Sequence, residues 1–330
     1  MAFYFYTETA FHHEGDIDYI KRLIDASHAA GANGVKFQVI MDLNNLTSSK
    51  HVLYDKLLSC VFTKQQWIEI FNYTASKNLD VIMMPLDEGA FDLVEESGVT
   101  IKYMDLHSVS FYDQTILSKI KKSKIPLILG VGGRSIDEIK DKQNYFGDQI
   151  QVIMVGFQSY PSKLEDVKIG RLVLYRDIFP NLQIGYADHS SFDNEHAIKS
   201  NEYAYLLGTT IFEKHITVDP GKERLDFQSA LGDLGVKKLV DNLKYLDQKV
   251  MKYNEEDLLK IEEPELTYRN RQKVAVAKSD LKKGTVISSE HTVFKMTDNG
   301  KGEKTLETIL GKTLSCDIEK DEAILLENVE

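Results

Sequence analysis

FYFYTETAFHHEGDIDYIKRLIDASHAAGANGVKFQV, residues 3–39, holds one complete repeat of a fold. FYFYTE (3–8) and GVKFQV (34–39) are short strand-like runs. Between them residues 16–30 carry apolar side chains at Ile17, Ile20, Leu23 and Ile24 and small ones at Ala26 and Ala30, the spacing of one helical face. Strand, helix and strand in that order predict a βαβ unit with parallel strands.

The same alternation continues through DVIMMP (80–85), TIKYMDL (100–106), PLILGV (126–131), IQVIMVG (150–156), LQIGYAD (182–188) and TIFEKHIT (210–217), which brings the strands to eight. Eight strands with intervening helices predict a closed (β/α)8 barrel, a TIM barrel; an open Rossmann-like sheet is the competing topology. Polar residues gather at the C-terminal strand ends, where a barrel builds its active site: Glu8, Lys36 with Gln38, Asp105 with His107, Gln158 with Tyr160, Asp188 with His189, and His215.

Beyond a helix near 234–252 the acidic NEEDLLKIEEPE (254–265) reads as a linker. KVAVAKSDLKKGTVI (273–287) and GKTLSCDIEKDEAILLENV (311–329) then form a β-rich module. The expected boundaries are a barrel at 1–255, a linker at 256–267 and a small domain at 268–330. A module of that size has a marginal core by itself, so docking on the barrel or on a partner chain would support it.

The chain has 330 residues, 42% hydrophobic and 28% charged, with a formal charge of −11, enough apolar material for a large core and the wrong sign for nucleic acid or an anionic membrane. No apolar run approaches the roughly 18 residues of a membrane span. Cys60 and Cys316 are far apart and form neither a disulfide framework nor a CxxC motif. With no secretory signal in MAFYFYTETAFHHEGD (1–16), a cytoplasmic location is expected.

His189 and His215 end the seventh and eighth strands, where two imidazoles would meet and could ligate a divalent metal or simply hydrogen-bond. Lys36 and Lys102, read as inside strands two and four, call for an anionic substrate or for a carboxylate partner such as Glu8 or Asp105. GVGGRS (130–135) lacks the P-loop pattern, yet its backbone N–H groups and Arg134 could face an anion.

HHEG (12–15), AGANGVKFQ (30–38), MPLDEGAFDLVEESGV (84–99), GYADH (185–189) and EKHIT (213–217) together resemble the motifs of the sialic acid (nonulosonate) synthases, which join phosphoenolpyruvate to an amino sugar. Glu8, HHEG (12–15) and AGANGVKFQ (30–38) follow the order and spacing of that family's N-terminal segment, and MPLDEGAFDLVEESGV (84–99) is similar to its TPF-D segment. Tyr160 with Pro161, GYADH (185–189), EKHIT (213–217) and Asp226 match its later motifs, and the tail from Arg271 resembles its antifreeze-like (SAF) domain.

The resemblance implies a (β/α)8 barrel, a SAF domain and a domain-swapped homodimer in which that domain covers the partner's site. It also implies that Lys36 and Lys102 hold phosphoenolpyruvate, that Gln38, Tyr160 and Asp226 face the sugar, that His189 and His215 bind a divalent metal, manganese first with magnesium, cobalt or zinc as alternatives, and that Glu8 is an active-site carboxylate.

The departures fall on the phosphate cradle. Asp105 and His107 replace the Ser and Glu of the fourth-strand KIxSxE; GVGG (130–133) replaces STGM; Ala187 and Gln158 replace serines; and Met296 replaces the arginine of KRPGNG. Asp repels phosphate where Ser donates to it, which leaves Lys36 and Lys102 to carry the donor with help from the 130–133 backbone. Lys222, Arg224, His12, His13 and His107 are candidates for new contacts, His107 as a metal ligand, base, wall residue or partner of Asp105.

The leading function is metal-dependent condensation of phosphoenolpyruvate with an aldose or amino sugar to a 2-keto-3-deoxy sugar acid. A metal-dependent lyase or aldolase on a related keto-acid is the alternative among enzymes. A noncatalytic sugar-binding descendant is the alternative outside them.

Overall fold

Asp16 opens the first helix, Ile17–Ala30, by accepting from the backbone N–H groups of Asp18 and Tyr19, and Gly31 closes it at φ 80°. Thr63 and Ser135 start Lys64–Ser76 and Ile136–Phe146 with reciprocal capping boxes. Each such cap contributes about 1 kcal/mol and fixes where a strand can begin again. The computed structural model describes residues 3–106, 108–298 and 300–330.

The strands are β1 (Tyr4–Glu8), β2 (Gly34–Val39), β3 (Asp80–Pro85), β4 (Ile101–Leu106), β5 (Leu127–Gly130), β6 (Ile150–Gly156), β7 (Gln183–Asp188) and β8 (Ile211–Thr217). They pair in sequence order, and β1 pairs in parallel with β8. The sheet is therefore a closed barrel, and the open Rossmann-like alternative is excluded. A two-residue strand β9 (Leu231–Gly232) pairs in parallel with the end of β8.

Alternation along each strand separates two cores. Outward residues such as Phe37, Met83, Ile153 and Phe212 pack beneath the helices with Trp67 and Phe71, each large side chain stabilising the fold by about 1.5–3 kcal/mol. Inward, Tyr6, Ile82, Ile128, Val152, Met154 and Ile211 form an apolar plug, joined by Tyr4 and Tyr103. The next inward residues up are polar and titratable: Glu8 follows Tyr6 on β1, and Glu213 and His215 follow Ile211 on β8. Burying these groups is tolerable only because they pair with one another.

One irregularity moves a predicted site residue. The β3–β4 register passes from Val81 opposite Ile101 to Ile82 opposite Tyr103, so Lys102 is skipped. Tyr103 turns inward against Tyr4, and Lys102 is left exposed.

The chain forms two compact units, Met1–Lys252 and Tyr253–Glu330. In the second, β10 (Lys273–Ala277) pairs antiparallel with β11 (Thr292–Met296). Ala275, Ala277, Leu281, Ile287, Ile309, Leu314, Ile318 and Ile324 make its core. Every residue of 253–271 is exposed, Leu258, Leu259, Ile261 and Tyr268 among them. Among the described residues no helix is long and apolar enough to cross a membrane.

Candidate active site

Lys36 enters the barrel from β2, and its ammonium reaches Glu8 Oε2 of β1 at 2.9 Å, Glu213 Oε2 of β8 at 2.8 Å and Asp105 Oδ2 of β4 at 3.4 Å. All four side chains are essentially excluded from solvent. The carboxylates outweigh the cost of burial and hold the Lys36 ammonium well above its ordinary pKa. Burial pushes Glu8 up, but Lys36 and then His215 outweigh it, and Glu8 stays ionised well below the usual carboxylate range. Glu213 goes the other way: burial first, and then the negative charges of Glu8 and Asp105, raise it to about 7 against the pull of Lys36. Tyr6 donates to the same Glu213 oxygen at 2.7 Å.

The two predicted histidines stand beside this cluster with ring centres 5.2 Å apart. His189 Nδ1 lies 3.0 Å from the Phe157 carbonyl, and burial lowers the imidazole to about pKa 3, which keeps it neutral and able to ligate. His215 Nε2 lies 3.3 Å from Glu8 Oε2, while its Nδ1 is buried with no hydrogen-bond partner. One ligand atom each from His189, Glu213 and His215 can be chosen within 4.8 Å of one another. Two imidazoles and a carboxylate around a spare buried nitrogen fit a divalent cation.

Gln38 donates to Glu8 Oε1 at 2.6 Å, and the Tyr160 ring lies tilted against His189, 4.6 Å between centres, while its hydroxyl donates to Gln158 Oε1 at 2.9 Å. Above them a cavity of about 340 Å3 opens at the mouth, with Gln38, Gln158, Tyr160, Asp226, Thr47 and His51 as its polar lining. The rest of its wall is apolar and comes chiefly from Leu46, Leu53 and Leu57 of the β2 excursion with Met84, Leu86 and Val109. Beneath lies a cavity of only about 10 Å3, lined by Lys36, Asp105, His189 and Glu213 against Gly130, Gly156 and Ala187. Gln158 borders both.

Glu8, Lys36, Gln38, Asp105, Gln158, Tyr160, His189, His215 and Asp226 thus converge on one end of the barrel. Lys102 does not join them. It lies at the N-terminal start of β4, about 10 Å of strand below Asp105 at 3.3 Å per residue, with its ammonium 5.9 Å from the Tyr103 ring. His107 falls outside the described residues. In the 130–133 loop the Val131 N–H donates to the Met154 carbonyl and so faces no ligand. Arg134 stacks on Phe111 at 4.2 Å and pairs with Glu138. Arg224 ties His12 O to Glu14, which makes it a brace between the β1 and β8 loops, and Lys222 is exposed beside Asp219. His12 Nδ1 meets the Ile216 carbonyl, and His13 stacks on Phe62.

Glu213 escaped the sequence reading, although its period-two spacing from His215 placed it on the same inward face. His51 gave no periodic signal, since it lies in the long excursion between β2 and helix Lys64–Ser76.

Comparison with known proteins gives one consistent picture. Residues 23–255 match the NeuB family, and residues 272–330 match the SAF domain. The N,N'-diacetyllegionaminic acid synthase of Campylobacter jejuni is 27% identical, over 96% of this chain and 97% of its own. The human N-acetylneuraminate-9-phosphate synthase is 23% identical, over 96% of this chain and 90% of its own. Among solved structures, spore coat polysaccharide biosynthesis protein E of Chromobacterium violaceum superposes with a TM-score of 0.77 at 19% identity, covering 99% of both chains.

Proposed function

The chain belongs to the NeuB family, and from that premise we propose that it is a sialic acid synthase-like transferase joining phosphoenolpyruvate to the aldehyde of an open-chain aldose or amino sugar. The product is a 2-keto-3-deoxy sugar acid of the kind used in cell-surface polysaccharides. The observation that carries this reading is the meeting of the Lys36–Glu8 pair with the His189–His215 pair directly below the Gln38, Tyr160 and Asp226 mouth.

In this reading Lys36 anchors the anionic donor over the small cavity, and Gln38, Gln158, Tyr160 and Asp226 orient the acceptor above it. His189, His215 and Glu213 hold a divalent cation, manganese in the first instance. Such a cation, when bound, would polarise the acceptor aldehyde. The enol C3 attacks the aldehyde carbon, water adds at C2, and the bond from C2 to the phosphate oxygen breaks, leaving the ketone and inorganic phosphate. Glu8, held ionised by Lys36, is the base within reach for the proton of that water.

The exposed apolar side chains of 253–271 support a homodimer in which this segment packs on a second copy and the partner's SAF domain covers the mouth. Light scattering should give twice the mass of the chain, and Leu259→Glu should shift it toward monomer. A monomeric wild type would remove the lid from the proposal.

The Asp105 carboxylate favours a second reading, a metal-dependent aldolase acting on an unphosphorylated keto-acid. A phosphate-release assay with manganese across N-acylated and unsubstituted aldoses separates the two. Sugar-dependent release of phosphate is expected. Cleavage or formation of keto-acids from pyruvate without phosphate release would establish the aldolase instead.

A further inference from the structure

Asp226 reaches the mouth cavity on a loop that leaves the barrel after β8. That strand ends at Thr217, and Pro220, Gly221, Lys222 and Glu223 are exposed. Asp226 itself sits at φ 61°, left-handed backbone that a residue with a side chain keeps only where its surroundings hold it. Beyond Asp226 the loop is tied to the β7 side: the Ser229 hydroxyl donates to the His189 carbonyl at 2.9 Å, and the Phe192 N–H donates to the Gln228 carbonyl at 2.9 Å. Ahead of Asp226 the tie is Arg224.

Arg224 Nη1 donates to the His12 carbonyl at 3.0 Å and to Glu14 Oε2 at 2.8 Å, and Nη2 lies 3.6 Å from Asp219 Oδ2. The guanidinium carbon stands 4.0 Å from the centre of the Tyr19 ring. A planar fork makes these contacts together, which a compact ammonium does not. Only 11% of the side chain is exposed, and it does not line the cavity. The β1 loop that receives it is fixed in turn. His12 Nδ1 lies 2.9 Å from the Ile216 carbonyl, and His13 stacks on Phe62. Gly15, at φ 80°, runs so close to the β2 excursion that a Cβ there would stand 2.1 Å from the Ser59 carbonyl oxygen. Arg224 therefore connects the Asp226 loop to a platform packed on the excursion that supplies Leu53 and Leu57 to the cavity wall.

We propose that Arg224 is the positioning residue for Asp226: it locks the loop onto the β1 side and so sets where the acceptor meets the Asp226 carboxylate, without touching the acceptor itself. The inference rests on the synthase reading above, in which Asp226 orients the sugar. Misplacing an orienting group by about 1 Å can cost about 100-fold in rate, so a brace outside the cavity carries kinetic weight.

A double-mutant cycle on the full-length, manganese-loaded protein tests this with wild type, Arg224→Met, Asp226→Ala and the double variant, and with Arg224→Lys as a milder second change. Phosphate release across N-acylated and unsubstituted aldoses gives kcat/KM for the acceptor. Amide hydrogen exchange reads the loop at Phe227 and Ser229, whose N–H groups donate to the Arg224 and Asp226 carbonyls. Melting temperatures confirm that each variant is folded. Arg224→Met should lower kcat/KM for the aldose about 10-fold or more and speed exchange at both amides about 10-fold, while phosphoenolpyruvate affinity by calorimetry stays within about 2-fold of wild type. Added to Asp226→Ala it should cost no more than about 2-fold further, because the group it positions is gone. Arg224→Lys should fall between wild type and Arg224→Met.

Losses that multiply in the double variant overturn the inference and leave the synthase reading intact. So does exchange at Phe227 and Ser229 that Arg224→Met leaves unchanged. An Asp226→Ala variant as active as wild type removes Asp226 from the acceptor site and the inference with it. Absence of phosphate release by wild type with every aldose overturns the synthase reading, and this inference falls with it.

Discussion

Lys214 Nζ lies 2.5 Å from Asp188 Oδ2, a buried ion pair between the residues that immediately precede the two site histidines in sequence. Strand alternation turns Glu213 and His215 into the barrel and Lys214 out of it, so the pair clamps β7 to β8 from behind the site. Lys214 also donates to the carbonyls of Asp188 and Ser190, which flank His189. Asp188 Oδ1 accepts from Ser190 and Ser200. Burial pushes the Asp188 carboxyl up, but Lys214 and these hydroxyls outweigh it and keep it ionised.

Lys214→Met should therefore destabilise the fold by about 3–5 kcal/mol, since Asp188 would be left charged and unmatched in a dry layer. Lys214→Met combined with Asp188→Leu should cost less than the single change. Urea unfolding of the two variants measures both, and a single variant within about 1 kcal/mol of wild type would show that the pair is not a clamp.

His189→Ala combined with His215→Ala should leave a folded barrel that copurifies with no divalent metal, because the pair lies at the barrel mouth above an intact apolar plug. Elemental analysis and circular dichroism on one sample decide it. Metal content equal to wild type would move the site elsewhere.

Removing Lys36 and removing Lys102 should differ sharply. Lys36→Met deletes the donor's anchor and should cost about 2–5 kcal/mol of phosphoenolpyruvate affinity. Lys102→Met removes an exposed side chain at the opposite end of β4 and should change affinity by no more than about 2-fold, within the small effect usual for surface substitutions. Equal losses in the two titrations would place Lys102 in the site after all.

Acid should unfold the barrel through its buried histidines. Burial holds His12 at about pKa 4 and His13 at about 3, against an unfolded value of 6.5. Above pH 6.5 both states are neutral at these positions and stability is indifferent to pH on their account. Below it the unfolded chain takes up protons that the native state refuses, and each histidine removes about 1.4 kcal/mol per pH unit until its folded pKa is reached. The slope of unfolding free energy between pH 6 and pH 5 should be shallower in His13→Gln than in wild type. Parallel slopes would mean that His13 is already protonated in the fold.

The barrel could be read from the chain because its determinants are local. FYFYTE (3–8), the 16–30 periodicity and GVKFQV (34–39) each specify an element by alternation and capping, and parallel βαβ units leave few other ways to bury eight strands. The strand assignments also placed Glu8, Lys36, Gln38, His189 and His215 toward the C-terminal ends of their strands, so most of the candidate site was legible in the sequence.

Tertiary structure alone decided how those charges are shared. No pattern along β4 announces the bulge that turns Tyr103 in and Lys102 out, since it arises from register against β3. Nor does any local signal show that Lys36 would be claimed by carboxylates from β1, β4 and β8, or that Glu213 would complete a metal-ligating set with two histidines. Secondary structure follows from forces between residues a few positions apart. The electrostatics of a buried cluster depend on angstrom distances between residues up to 207 positions apart, and only the closed barrel sets those.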